Sequence, residues 1–408
     1  MNDFAAAHPL LVVALPKVVI LLFVMLTALA YLTWFERKVV AHIQSRWGPY
    51  RVGPHGLLQP LADGVKFLFK EDVTPTGADK FAYFLAPFLA LSLAITSIAV
   101  IPFGPQGLKI FGQPTPTGIT NLNIGLLILF AITSMGVYGV ALAGWSSNSK
   151  YPLLGGLRSS AQMISYELAL TMSVVGVILM ASTFNLSEIV TAQQGTYWGF
   201  VPRWNVIGAP FPQILGFLLF STAAVAETNR APFDLAEAES ELVAGFHTEY
   251  SSFKFAMFFM AEYASMITVS CLATILFFGG WLSPFPQTPA FAWSHYIPAA
   301  AFALAGLALI AHGLRYLTLF GRIVLPVIGV ALCGLGILCG QPGVIEFIQG
   351  PFWFLLKVGI FLFIYVWVRG TLPRFRYDQL MNFGWKVLLP LSIANVVLTS
   401  LIIVLTQP

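Results

Sequence analysis

The chain has 408 residues, 58% of them hydrophobic and only 9% charged, with a formal net charge of +4. Globular domains carry about 25% charged residues, so a soluble fold is excluded and the composition is that of a polytopic membrane protein. The small positive balance reflects loop bias rather than an acidic partner, and no nucleic-acid partner is expected. Three cysteines, Cys271, Cys333 and Cys339, all lie in apolar segments and form no C-x-x-C pair. The six histidines (His8, His42, His55, His247, His295 and His312) are scattered. No metal, iron–sulfur cluster or haem held by this chain alone is expected. If the protein takes part in redox chemistry, a partner carries the electrons.

Ten apolar segments approach the length of roughly 20 residues that a membrane span needs. They cover 18–35, 81–102, 124–145, 160–183, 211–228, 254–280, 297–314, 323–340, 352–369 and 387–406. No ten-residue alternation suggests a barrel, so the expected fold is an all-α polytopic integral membrane protein forming one membrane domain over 1–408. The first segment ends in Glu36-Arg37-Lys38 without a small-residue cleavage site, and reads as a span rather than a removed signal. One set of loops holds 17 of the 21 basic residues. By the positive-inside rule that side is cytoplasmic, and both termini then face the periplasm.

Glu36 closes the first span, and the cytoplasmic loop 36–80 follows. Within it, Leu57, Leu58, Leu61, Val65 and Leu68 fall on one helical face, which predicts an amphipathic interfacial helix; Asp63 falls elsewhere and could face a polar funnel. Glu167 lies nine residues past Arg158, roughly 14 Å into the membrane, and Glu262 lies eight past Lys254, about 12 Å in. Each adjoins a tyrosine, Tyr166 or Tyr263, that could extend a hydrogen-bond chain. An ionisable group at such depth marks an ion or substrate pathway by default. Glu227 sits at the cytoplasmic end of its span, where pairing with Arg230 at i, i+3 is the plain alternative. The loop 229–253 is acidic, with Asp234, Glu237, Glu239, Glu241 and Glu249. Asp234 followed by Glu237 fits a helix start, and the loop's apolar residues suit a docking surface or cavity wall. Lys357 reads equally well as a snorkelling or a functional lysine. Arg369, Arg374, Arg376 and Lys386 suit positive-inside anchoring, or contact with lipid or an acidic subunit. The outer halves of the spans carry no carboxylate, so the chain can form a polar funnel open to the cytoplasm but not an acidic path through the membrane. A partner subunit is implied.

Five strings carry a resemblance: WFERKVVAHIQSRWGPYRVGPHGLLQPLADGVKFLFKE (34–71), AGWSSNSKYPLLGGLRSSAQMISYE (143–167), ETNRAPFDLAEAESELVAGFHTEYSS (227–252), FFMAEY (258–263) and RGTLPRFRYDQLM (369–381). The chain resembles the H subunit of bacterial NADH–quinone oxidoreductase, respiratory complex I, equivalent to mitochondrial NADH dehydrogenase subunit 1, over nearly its whole length. The resemblance implies a subunit at the junction of membrane and peripheral arms, with a tunnel for the quinone and the start of an acidic path that couples quinone reduction to proton translocation. FMN and iron–sulfur clusters would belong to partner subunits, and the location would be the bacterial inner membrane. Carried over residue by residue, Glu36, Arg37, Arg46, Asp63 and Phe233 fall at the quinone entrance. Glu167, Glu227, Asp234, Glu237, Glu239, Glu241 and Glu262, with Tyr166 and Tyr263, fall on the coupling path. Arg230, Arg369, Arg374 and Arg376 fall at partner or lipid contacts. Three features depart from the family: Tyr50 stands where many members have Asn, His42 is unusual, and the third is a matter of length. The stretch from Trp281 to Phe352 is also long, and implies a helical-hairpin insertion over 297–340 tipped by Arg315 and Arg322, added to about eight family-type spans. The alternative partner set is that of a hydrogenase-type ion-translocating complex. A secondary transporter would need internal repeats, which are missing, and an inert anchor would gain nothing from mid-span acids.

Overall fold

The computed structural model describes residues 14–105, 108–110, 113–115, 118–234, 244–286, 289–316 and 318–406. Among them, nine helices are long and apolar enough to cross a membrane, and one shorter apolar helix accompanies them. The protein is an all-α polytopic membrane protein.

Helix α1 (Leu15–Ile43) carries Pro16 in its first turn, where the missing N–H has no intrahelical partner to lose. At 1.5 Å per residue it is roughly 43 Å long, well beyond the ~30 Å of hydrocarbon. The apolar run stops at Phe35, but Glu36–Ile43 contains no helix breaker and the helix continues. Glu36 is therefore an internal, buried residue of α1 and does not close it. Helix α2 (Gln59–Phe69) has no buried residue and lies on the surface with Leu61, Leu68 and Phe69 exposed.

Helix α3 (Lys80–Ile98) is capped by Asp79, whose carboxylate accepts the Phe81 N–H at 3.1 Å. Helices α4 (Gly125–Ser146) and α5 (Lys150–Ala181) follow. They approach closely because Gly144 lacks a side chain: a Cβ there would lie 2.6 Å from the Pro152 carbonyl oxygen. The short helix α6 (Leu186–Ala192) and two antiparallel hairpins, β1 (Leu108–Ile110) with β2 (Gln113–Thr115) and β3 (Thr196–Tyr197) with β4 (Val201–Pro202), lie in the connections between the long helices.

Helix α7 (Ile214–Glu227) has only 14 residues. The chain continues beyond it as a non-helical segment in which Thr228, Asn229, Arg230, Phe233 and Asp234 are all buried. Buried irregular backbone persists only where protein satisfies its polar groups. Gln162 of α5 does this by donating from its amide to the carbonyls of Ala226 and Phe233, both at 2.8 Å.

Helix α8 (Ser252–Phe277) is the central helix, with 78% of its span buried. Helices α9 (Ile297–Leu314) and α10 (Leu319–Cys339) pack tightly on each other at Gly306, where a Cβ would lie 2.5 Å from the Gly329 carbonyl oxygen. Helix α11 (Pro342–Thr371) carries Lys357, which neither snorkels nor enters a ligand cavity. Its ammonium donates to the carbonyls of Phe278 (2.7 Å), Gly280 (2.9 Å) and Leu282 (2.7 Å), just past the end of α8. The chain ends in α12 (Tyr377–Phe383), a π-helical turn, and α13 (Leu389–Thr406).

Candidate functional site

Helix α8 divides two cavities. Ala256, Phe259, Met260 and Tyr263 recur at three- and four-residue spacing and face one of them, while Phe258, Ala261, Glu262, Ser265 and Val269 face the other.

The first cavity is a chamber of about 620 Å³, within the usual range for small-molecule sites. Its walls come from α1, α2, α8 and the end of α11. Leu26, Leu29, Phe67, Phe255, Phe259 and Met260 make it largely apolar, and Glu36, Arg37, Arg46, Asp63 and Arg369 gather on its polar side. Arg37 Nη1 meets Asp63 Oδ2 at 2.7 Å and Gln59 Nε2 donates to Asp63 Oδ1 at 2.9 Å, which ties surface helix α2 to α1.

From the chamber a run of alternating charges leads inward. Arg369 pairs with Glu36. Arg230 Nη1 lies 3.7 Å from Glu36 Oε1, and its Nη2 lies 3.8 Å from Glu262 Oε2. The guanidinium sits 4.3 Å from the centroid of the Tyr263 ring. Each buried charge thus has an opposite neighbour, which such burial requires. Arg230 is placed by the same irregular segment that interrupts the chain after α7, so the broken helix carries the cation that links α1 to α8.

Beyond Arg230 is the second cavity, about 70 Å³, lined by Glu227, Thr228, Asn229, Thr133, Glu262 and Ser265 among others. That volume suffices for two waters at about 30 Å³ each.

The residues singled out in the sequence separate as follows. Glu36, Arg37, Arg46, Asp63, Tyr263 and Arg369 line the chamber, and Glu227 and Glu262 share the inner cavity. Phe233 is not in the chamber lining; it stacks on Phe375, with centroids 5.5 Å apart, and leans on Tyr166. The Tyr166 hydroxyl donates to the Leu380 carbonyl at 2.8 Å, not to an acid. Glu167 accepts a hydrogen bond from Ser134 and lines neither cavity. Asp234 pairs with Arg374 at 3.1 Å, which pins the end of the irregular segment, and Arg376 pairs locally with Asp378 at 2.6 Å. Glu237, Glu239 and Glu241, with the predicted acidic helix, lie outside the described residues. Nearby, burial pushes the Tyr250 phenol up to about 12, opposed by its hydrogen bond with Ser146. It stays protonated and stacks on Tyr83 at 4.1 Å. Sequence reasoning missed Gln162, and it missed Phe67, Phe259 and Met260 as chamber walls. The spacing of 256, 259, 260 and 263 was the available signal, but it does not separate a cavity from lipid. Among the described residues no group of three or more His, Cys, Asp or Glu is placed to hold a metal ion.

The fold and this site define a multi-pass membrane protein with a largely apolar chamber, joined by ion pairs to a small acid-lined cavity. The NADH dehydrogenase family matches residues 16–400. An H subunit of the NADH-quinone oxidoreductase of Solibacter usitatus is 51% identical over 394 residues, covering 97% of each chain. An H subunit of the same enzyme from Koribacter versatilis is 51% identical over 405 residues, covering 97% of this chain and 98% of the relative. One from Geobacter metallireducens is 43% identical over 400 residues, covering 95% and 94%. The chain belongs to this family and is a membrane subunit of NADH–quinone oxidoreductase, an enzyme complex whose other subunits are its partners.

Proposed function

We propose that the chamber admits the quinone from the bilayer and that Glu36, Arg230 and Glu262 carry the consequence of its reduction to the inner cavity and onward. The observation that supports this reading is the position of Arg230, whose two terminal nitrogens reach the chamber's Glu36 at 3.7 Å and the inner cavity's Glu262 at 3.8 Å. A charge change in the chamber alters the balance between those two carboxylates. Movement of Arg230 toward Glu36 leaves Glu262 less compensated and raises its proton affinity; the reverse movement releases the proton. Glu227, across the inner cavity, is the next acceptor, and Glu167 continues the acidic series on α5. The apolar walls hold the lipophilic part of the ligand, while Arg37 and Arg46 meet its polar end.

In this reading FMN and the iron–sulfur clusters reside in partner subunits of the peripheral arm, and antiporter-like membrane subunits receive the acidic path. The basic side faces the cytoplasm, both termini face the periplasm, and the membrane is the bacterial plasma membrane. Arg374 and Arg376 face a partner or lipid headgroups, and 297–340 is a hairpin added to the family fold.

The test is Glu262→Gln in the assembled complex, reconstituted in vesicles. Quinone reduction with the proton gradient dissipated should stay within about threefold of wild type, while proton translocation per NADH falls by an order of magnitude. Full pumping in Glu262→Gln sinks the proposed path.

A further inference from the structure

The α9–α10 hairpin is joined to the rest of the molecule at its tip by a small aromatic cluster. His312, in the last turn of α9, places its Nε2 2.7 Å from the Nε2 of His55 in the loop between α1 and α2. The Tyr316 hydroxyl accepts the backbone N–H of His55 at 3.1 Å. Tyr316 is buried, and its ring occupies a slot that exists because residue 321 is glycine: a Cβ there would lie 2.2 Å from the ring. Arg322 of α10 donates to the Tyr316 carbonyl at 2.8 Å and so holds the tip turn. On the other side, Trp34 of α1 donates to the His55 carbonyl at 3.3 Å. His55 itself has φ +52°, a left-handed conformation that a non-glycine residue keeps only where its surroundings impose it.

This cluster lies just ahead of α2. That helix contributes Pro60, Asp63, Gly64 and Phe67 to the chamber yet has no buried residue of its own. Its position depends on tethers. At its far end Ser252 donates to the carbonyls of Phe67 (2.8 Å) and Lys70 (3.1 Å), and at its middle Arg37 holds Asp63. The tether at its leading end is the hairpin tip.

We infer that His55, His312 and Tyr316 are positioning residues for quinone entry: the hairpin tip fixes the leading end of α2 and with it the opening of the chamber. This inference rests on the proposed role of the chamber. None of the three lines the chamber itself, so they act through the elements they hold, α2 foremost. The imidazole pair needs one ring as donor and the other as acceptor, and a glutamine at 312 supplies an equivalent amide.

The experiment uses the whole complex in native membranes and compares His312→Ala, His312→Gln, Tyr316→Ala and a chamber variant, Phe67→Ala. NADH oxidation by an artificial acceptor that bypasses the quinone reports intact assembly. His312→Ala should raise KM for a long-tailed quinone about three- to tenfold with kcat within about twofold, the signature of altered binding rather than altered chemistry. His312→Gln should recover most of that loss. Hydrogen exchange of residues 57–70 should accelerate in His312→Ala and return in His312→Gln. If Phe67→Ala raises KM while His312→Ala leaves both KM and the exchange of 57–70 unchanged, the positioning role of the hairpin tip is wrong and the chamber stands. If neither Phe67→Ala nor His312→Ala moves KM, the chamber reading and the positioning role fall together. Where Tyr316→Ala fails to assemble, His312→Ala, whose side chain is exposed, still decides.

Discussion

Helix α8 and the α9–α10 hairpin invert the rule that the most apolar helix is the most buried. The spans of the hairpin are the more apolar, yet only 17% and 22% of them are buried, against 78% of α8. In lipid, apolar side chains gain nothing by turning inward, and small and polar residues direct a helix to the interior instead. Helix α8 carries Glu262, Ser265, Thr268, Ser270 and Thr274, and all of them find protein or cavity around them. The hairpin presents Leu304, Leu307, Ile323, Val327 and Val330 outward, packs on α11 through contacts such as Phe302 on Phe352, and joins the α1–α2 loop through histidines and a tyrosine at its tip.

Four substitutions or conditions sharpen this contrast. The largest effect is expected for Arg230→Ala. Removing the cation leaves Glu36 and Glu262 buried beside a vacated charge, a loss of about 3–5 kcal/mol. Native electrophoresis should show little intact complex, and NADH–quinone activity should fall with it. A matched pair comes next. Ala264→Leu on α8, at a fully buried position, should cost about 1–3 kcal/mol by overpacking, read as a lower Tm of the purified complex.

A pH effect should appear where the hairpin tip meets the α1–α2 loop. Burial, then His312 and Lys38, hold His55 below its ordinary 6.5. The folded state therefore favours the neutral ring. Its contribution is complete above pH 6.5 and is lost as pH falls through the depressed folded value. Exchange of 57–70, corrected for intrinsic rates, should speed up as pH is lowered below 6.5, while α8 stays protected. The smallest effect is the partner of the matched pair: Ala308→Leu on the exposed face of α9 should change stability by no more than about 0.5 kcal/mol. A large loss there would mean that the hairpin face is covered.

Much of the fold was legible without coordinates. An apolar run long enough to span is a local property, and the helices α3, α4, α8, α9, α10 and α11 fall where the runs place them. Boundaries were less legible. Helix α1 outlasts its apolar run by two turns because polar residues with good helical propensity carry it past the membrane face. The gathering of Glu36, Arg37, Arg46 and Asp63 was anticipated by resemblance, not by spacing. Phe233 shows the limit: it neighbours the buried Asp234, yet its ring turns to Phe375 and away from the chamber.

The sequence by itself determined that this is a helical membrane protein and that carboxylates stand within or beside its long apolar runs. Each follows from the composition of a single window. Only the tertiary structure decided that Arg369, Glu36, Arg230 and Glu262 form one run of ion pairs, and that α8 has a largely apolar chamber on one face and an acid-lined cavity on the other. Those contacts join positions up to 333 residues apart (369 − 36). They depend on the rotation of each helix about its axis, which packing sets and no local pattern encodes.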